Sequence, residues 1–290
     1  MGELVMAETA FQIQYRQEFI AGFEQLQSIV RMTTTTEAVI KGNQATFLIA
    51  DSGPNETAKT RGVNGLIPAR GDNLTQPVAT LVEWHDLVRK TGFNVFASQG
   101  NQRAIMQQTS MGVVNRKIDN DIITELDTAT LTTGVAAAPS LLMCLTAKSG
   151  LGNNDVPFDG NICALITPGF EGELMESVPQ FASADYINLK PYPDAGPAWD
   201  DSPGYWKWLG VKWIVHPNLS GATTVSATNH MYHKSAIGHA YNSDDLQALA
   251  GYDEEQDYSW ARTSIFMGSQ ILQNSGIAKM LTIDNVMVLS

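Results

Sequence analysis

A chain of 290 residues with 43% hydrophobic side chains is long enough for one large domain or two modest ones with a sizeable core. Only 17% of the residues are charged, the formal charge is -12, and Lys and Arg form no cluster, which argues against a sequence-specific reader of DNA or RNA. A polar but sparsely charged surface suits extensive subunit contacts, because burying charge is costly. No stretch approaches the ~20 apolar residues of a membrane span. The N-terminus lacks a basic segment followed by an apolar one, and Met6 stands where a myristoylation signal after Gly2 wants Ser or Thr. Cys144 and Cys163 lie inside apolar runs and read as reduced, buried thiols of a cytosolic protein.

Residues 11–31 are predicted to form an amphipathic helix, since Phe19, Phe23, Leu26 and Val30 recur at spacings of three or four. Thr33 to Thr36 break it. Its narrow apolar stripe must dock either on the chain's own body or on a neighbouring subunit. Residues 37–50 read as strand in two halves, Ala38 and Ile40 and then Ala45 to Ile49, with a Gly42-Asn43 turn between them. From Asp51 to Gln76 the chain is polar and rich in turn signals such as Asn64-Gly65 and Arg70-Gly71-Asp72, with only Val63, Leu66 and Ile67 to bury. So long a segment with so little apolar content is rare inside a compact domain. It is predicted to be a projecting two-stranded loop that becomes ordered against a partner. The Arg-Gly-Asp triplet has the form of an adhesion motif, but three residues match by chance.

Val78, Thr80, Val82 and Trp84 alternate as a return strand. The clearest helix follows, from about Asn101 to Ala129. Ile105, Val114, Ile118, Ile122 and Leu126 mark one face, with Arg103, Asn115, Lys117, Asp119 and Asp121 on the rest. At 1.5 Å per residue it would run roughly 40 Å. After Gly134 the pattern becomes α/β: a strand from Leu141 to Thr146, a loop from Gly150 to Gly160, then a strand from Ile162 that ends in Thr167-Pro168 and opens a short helix through about Ser177. A proline-rich loop spans Lys190 to Gly204. Trp206 and Trp208, then Val211, Trp213 and Val215, give two short alternating segments around Gly210. The rest is strand-rich: Met231 to Tyr241, Ser259 to Ile271, and Ile277 to Leu289.

Chemical signatures are sparse. His230, His233 and His239 are the one metal-like cluster, but on a strand an offset of three puts His230 and His233 on opposite faces. His233 and His239 share a face but lie about 20 Å apart when extended. No metal and no cofactor are expected. Nucleophile elbows, phosphate loops and dinucleotide fingerprints are missing from the sequence. Asp200-Asp201 and Asp253-Glu254-Glu255 read as solvated turns, since adjacency does not aim two carboxylates at one bond. Trp206, Trp208 and Trp213 read as core or as a subunit contact. No enzymatic activity is expected, the remaining alternative being a soluble hydrolase that uses His230 and His233.

The order of these parts resembles the major capsid proteins of tailed phages (Caudoviricetes), which have the Hong Kong 97-type fold. The residues carrying the resemblance are the helix from Phe11 to Arg31, the turn-rich loop from Asp51 to Gln76 and the helix from Asn101 to Ala129. Local phrases add to it: Ala164-Leu165-Ile166-Thr167-Pro168, Trp208-Leu209-Gly210-Val211-Lys212-Trp213, His233-Lys234-Ser235-Ala236-Ile237-Gly238 and Gly276-Ile277-Ala278-Lys279-Met280. The resemblance implies an α+β capsid fold with an N-terminal arm (1–36), an extended hairpin loop with flanking strands (37–92) and a peripheral domain with its spine helix (93–140). An axial domain (141–228) and peripheral return strands (229–290) would complete it.

It further implies self-assembly into hexamers and pentamers of an icosahedral virion shell that encloses double-stranded DNA without sequence-specific binding. A separate scaffolding protein, a portal and decoration proteins are the implied partners, with no membrane, and assembly would take place in the host cytoplasm. The implied subunit-interface residues are Phe19, Phe23, Arg61, Leu66, Ile67, Arg70, Trp199 and Tyr205. Where family members cross-link a loop lysine to a neighbour's asparagine, Lys59 and either Asn274 or Asn285 are the matching candidates here. A cellular nanocompartment shell of the same fold is the alternative.

Overall fold

Ser28 is the first residue placed by the computed structural model, which describes residues 28–39, 41–52, 57–71, 73–97, 102–177, 205–242 and 247–285. Most of the predicted N-terminal helix therefore lies outside the described residues, as do the loop from 190 to 204 and Asp200-Asp201. Residues Val30–Thr33 form a 3-10 turn, and strand β1 (Thr35–Val39) follows directly. The threonine run thus ends one element and begins the next, as suits its β-branched residues.

The stretch from Gln44 to Thr80 is a narrow ribbon. Strand β2 (Gln44–Thr46) and β3 (Ile49–Asp51) run out along it, and β4 (Asn73–Thr75) and β5 (Val78–Thr80) return. β2 pairs with β5 and β3 with β4, both antiparallel. β1 does not turn back on β2, as the Gly42-Asn43 signal suggested. It lies parallel to a strand some 200 residues later, where all five of its residues pair along the edge of β12. The predicted return strand from Val78 to Trp84 is interrupted at Leu81 and resumes as the much longer β6 (Val82–Thr91).

A short helix α1 (Gly92–Ala97) precedes α2 (Gln102–Leu126), whose 25 residues span about 37 Å. Val114, Ile118, Ile122 and Leu126 are buried, as their spacing predicted. Strand β7 (Leu131–Thr132) leads to α3 (Leu141–Asn153). Here the expected strand from Leu141 to Thr146 is overturned. The run is helical because Ser140 caps it, its side chain accepting from the Met143 amide at 3.3 Å, and because Met143, Cys144, Ala147 and Leu151 then share one buried face. A five-residue apolar run has no period long enough to distinguish a strand from a buried helical turn.

Strand β8 (Ile162–Ile166), helix α4 (Pro168–Ser177), β9 (Tyr205–Trp208) and β10 (Val211–Val215) match expectation. Leu209 and Gly210 both adopt positive φ (54° and 74°), the two-residue turn that matches the twist of a hairpin, so β9 and β10 pair with Trp208 opposite Val211. Then come β11 (Ala227–His233), β12 (Ile237–Asn242), β13 (Gln247–Asp253), β14 (Tyr258–Ile271) and β15 (Ile277–Thr282).

Two sheets organise the body. One has the order β7-β15-β11-β8-β10-β9. It takes β11 and β15 from the stretch read as return strands, so the part expected at 141–228 shares its sheet with residues 227–233 and 277–282. Both faces of this sheet are covered. Ile162, Ala164, Ile166 and Trp213 pack with Cys144, Leu151, Phe170 and Leu174 from α3 and α4, while Cys163, Leu165 and Ile214 face α2 at Ile118 and Ile122. Continuous burial is why β8 reads as an unbroken apolar run. Both cysteines are buried, free thiols, and burial pushes each pKa up to about 12.

In the second sheet β14 is central. β12 and β13 follow one another along one of its edges, β6 lies on the other, and β1 adds to β12. The ribbon roots here: Ala45, Phe47 and Ala79 pack with Ala240. At Gly268 a side chain would collide with the Thr80 carbonyl, so the ribbon's inner end is seated directly on β14.

Candidate functional site

The features that stand out for function are one buried anchor and one exposed projection. The anchor is Asp119 on α2, fully buried, where the sequence pattern placed it on the polar side of the helix. Its carboxylate accepts hydrogen bonds from the Ser28 hydroxyl, from the Ile29 amide at 3.3 Å and from the Val30 amide at 3.2 Å. His216 Nε2 lies 3.3 Å away, and His216 Nδ1 accepts from the Asn218 amide at 3.2 Å. Because Nδ1 accepts, Nε2 carries the proton and donates to Asp119. One carboxylate thereby caps the 3-10 turn from a distant helix, supplying acceptors that the turn's own orphan amides need. Thr33 adds a second tie, its hydroxyl meeting that of the buried Tyr232. The point where the N-terminal segment joins the body is therefore fixed to both α2 and the six-stranded sheet.

The projection is the ribbon. Every described residue from 57 to 71 is exposed, and among them Leu66 and Ile67 keep 74% and 69% of their surface in water while Val63 is fully open. Local hydrogen bonds shape this segment: the Gly65 amide donates to Gly62 O and the Gly62 amide to Leu66 O, both at 2.9 Å. Arg61 donates to Gly65 O at 3.3 Å, and Arg70 to Ser52 O at 3.5 Å. Leu48 and Leu74, on the ribbon's stem, are exposed too. Among the described residues of the tip, no apolar side chain is buried in the chain's own core.

Of the residues named from sequence as subunit contacts, Arg61, Leu66, Ile67 and Arg70 thus fall together on this ribbon. Phe19, Phe23 and Trp199 lie outside the described residues, and Tyr205 opens β9. Lys59 is exposed on the same ribbon. Asn274 is engaged within its own chain, its amide bridging Thr130 through bonds of 2.6 and 3.1 Å, and Asn285 is exposed.

The histidines do not converge. His230 is fully buried with Nε2 2.9 Å from Asp127 Oδ1, a close but poorly aligned contact, whereas His233 meets Asp159 at 3.1 Å and Ser235 at 2.7 Å. His239 is buried beside Ser269, at 3.1 Å. Burial, then the nearby Arg31 cation, hold its pKa down to about 4, against 6.5 for a free histidine. An unfolded chain therefore takes up a proton between those values while the folded chain does not. Stability is expected to fall as pH drops through that window, by about 1.4 kcal/mol per pH unit at the steepest. Denaturant midpoints measured across the window should show a shallower fall in His239→Gln than in the wild type.

The architecture matches known structures throughout its length. A capsid of Ralstonia phage GP4 superposes with a TM-score of 0.73 at 10% identity, with 100% of both chains covered. A structure from Mycobacterium phage Che8 gives 0.70 at 15% identity, covering 94% of this chain and 97% of that one. A capsid of cyanophage Pam1 gives 0.71 at 9% identity, covering 99% and 100%. No curated protein matches by sequence. A family profile described as phage capsid protein matches residues 7–284. The chain belongs to the phage capsid protein family. Its fold is the Hong Kong 97-type capsid fold expected from the order of its elements.

Membership of this family implies a structural role. The Asp119 anchor was not legible beforehand. An aspartate next to Ile118 on an amphipathic helix looks like any solvated residue, and its partners lie about 90 residues before it and 97 after it.

Proposed function

We propose that many copies of this chain close into hexamers and pentamers of an icosahedral shell around double-stranded DNA, with the ribbon from 51 to 76 laid across a sister copy. The observation that supports this most is the exposed tip at Val63, Leu66 and Ile67. Apolar side chains held out on a long arm gain burial only against another surface. Contacts between unlike patches propagate from copy to copy until rotation closes a ring. An arm reaching over a neighbour adds many weak contacts to one event, making the whole tighter than any part.

In this reading Arg61, Leu66, Ile67 and Arg70 touch a neighbour through the ribbon, and Phe19, Phe23, Trp199 and Tyr205 do so elsewhere. The N-terminal arm (1–36), the loop with its strands (37–92), the spine-helix part (93–140), the axial part (141–228) and the return strands (229–290) divide the labour. The six-stranded sheet links the last two. The net charge of -12 suits a wall that encloses DNA without adhering to it. A separate scaffolding protein directs closure, a portal occupies one vertex, decoration proteins bind the outside, and assembly proceeds in the host cytoplasm.

Electron micrographs of the full chain, produced with and without a scaffolding partner, test this reading. Closed shells or ring-shaped capsomers are the expected result. A small discrete oligomer under every condition would overturn it.

A further inference from the structure

The body carries a second surface that the ribbon does not explain. A cleft of about 420 Å³ opens where the 3-10 turn, β1 and α2 meet. Arg31 and Lys234 line it together with Ser28, Thr34, Thr36 and Asn115, and no carboxylate is among its described lining residues. In a chain of net charge -12 a cationic cleft is the exception. The Arg31 guanidinium also lies over the Tyr241 ring, 4.1 Å from its centre, so its side chain is braced. Lys234 is exposed at the cleft's rim.

The opposite charge sits at the far end of the same sheet. β13 and β14 meet in a turn, Asp253-Glu254-Glu255-Gln256-Asp257, that projects past the last paired residues Asp253 and Tyr258. Asp253 is occupied in shaping the turn, accepting from the Glu255 amide at 3.1 Å and the Gln256 amide at 3.0 Å, and Asp257 accepts from the Tyr252 hydroxyl. Glu254 and Glu255 stand exposed, and no ion pair to either is found among the described residues.

The turn cannot reach the cleft of its own chain. Thr36 pairs with His239, which pairs with Ser269, and Ser269 lies eleven residue steps along β14 from Tyr258. At ~3.3 Å per strand residue the two features lie about 36 Å apart on one continuous strand. Two complementary patches at opposite ends of a rigid element make a head-to-tail contact between copies, the kind that closes rings. We propose that the acidic turn at Glu254 and Glu255 of one copy docks in the Arg31–Lys234 cleft of the next.

This contact rests on the assembly reading above and adds a named joint to it. Three variants of the full chain test it, each produced with the same assembly partners as the wild type: Lys234→Glu, Glu254→Lys with Glu255→Lys, and all three changes together. All sites are exposed turns, and unchanged unfolding midpoints would verify folding. Either charge reversal alone should lower particle yield roughly tenfold or more, an effect repeated at every joint, and the combined variant should return it to within a few-fold of wild type. Wild-type yields from both single reversals would overturn the docking. So would a loss that the combination fails to rescue, which would instead assign the cleft to another occupant, such as the chain preceding Ser28. Failure of the wild type itself to form particles would sink the assembly reading together with the joint, whereas normal wild-type shells with indifferent variants would sink the joint alone.

Discussion

Replacing Asp119 with alanine is expected to destabilise the subunit by about 3 kcal/mol or more. The change strands the amides of Ile29 and Val30, the Ser28 hydroxyl and His216 Nε2 beside a cavity lined by α2. Each buried donor left without an acceptor costs about 1–3 kcal/mol, less whatever an entering water recovers. Asp119→Asn should fall short of rescue. Its carbonyl satisfies one donor, while its amino group faces the others. Equilibrium unfolding of the unassembled subunit gives the size of the effect. Hydrogen exchange at the 29 and 30 amides gives its location, since these two should lose protection well before the amides of β8. A loss below about 1 kcal/mol, or unchanged protection at those positions, would mean that the network is not an anchor.

Cutting the ribbon should have the opposite profile. With residues 57–71 replaced by a short Gly-Ser linker, the unfolding free energy is expected to stay within about 0.5 kcal/mol of wild type, because every residue removed is exposed and touches no core. Closing a shorter loop changes little more. Assembly, by contrast, should fall below detection, because the exposed Val63, Leu66 and Ile67 proposed to touch a neighbour are removed with the loop. Sedimentation separates the outcomes. Intact subunits that no longer sediment as particles are predicted, whereas an unfolded variant would show that the ribbon belongs to its own subunit's core.

These two residue sets also show where sequence reading works and where it stops. The spine helix was legible because Ile118, Ile122 and Leu126 recur at the helical period over many turns, and all three are buried. The β9–β10 hairpin was legible through Gly210, and the ribbon through its shortage of apolar residues. Leu141 to Thr146 has the pattern of a strand yet is helical, since its apolar run is too short to show a period. Ser140 just before two leucines was the available cue. Asp119, His216 and Tyr232 were invisible as a set. Nothing local distinguishes a buried carboxylate from a solvated one when its partners come from two distant parts of the chain. The same is true of β1, whose partner β12 lies about 200 residues away.

The most direct test compares backbone hydrogen exchange at residues 57–71 in free subunits and in assembled particles. Strong protection of the stretch around Val63 to Ile67 on assembly, with α2 equally protected in both states, is the predicted result. Exchange in that stretch as fast within the shell as outside it would contradict the idea that this arm is completed by its neighbours.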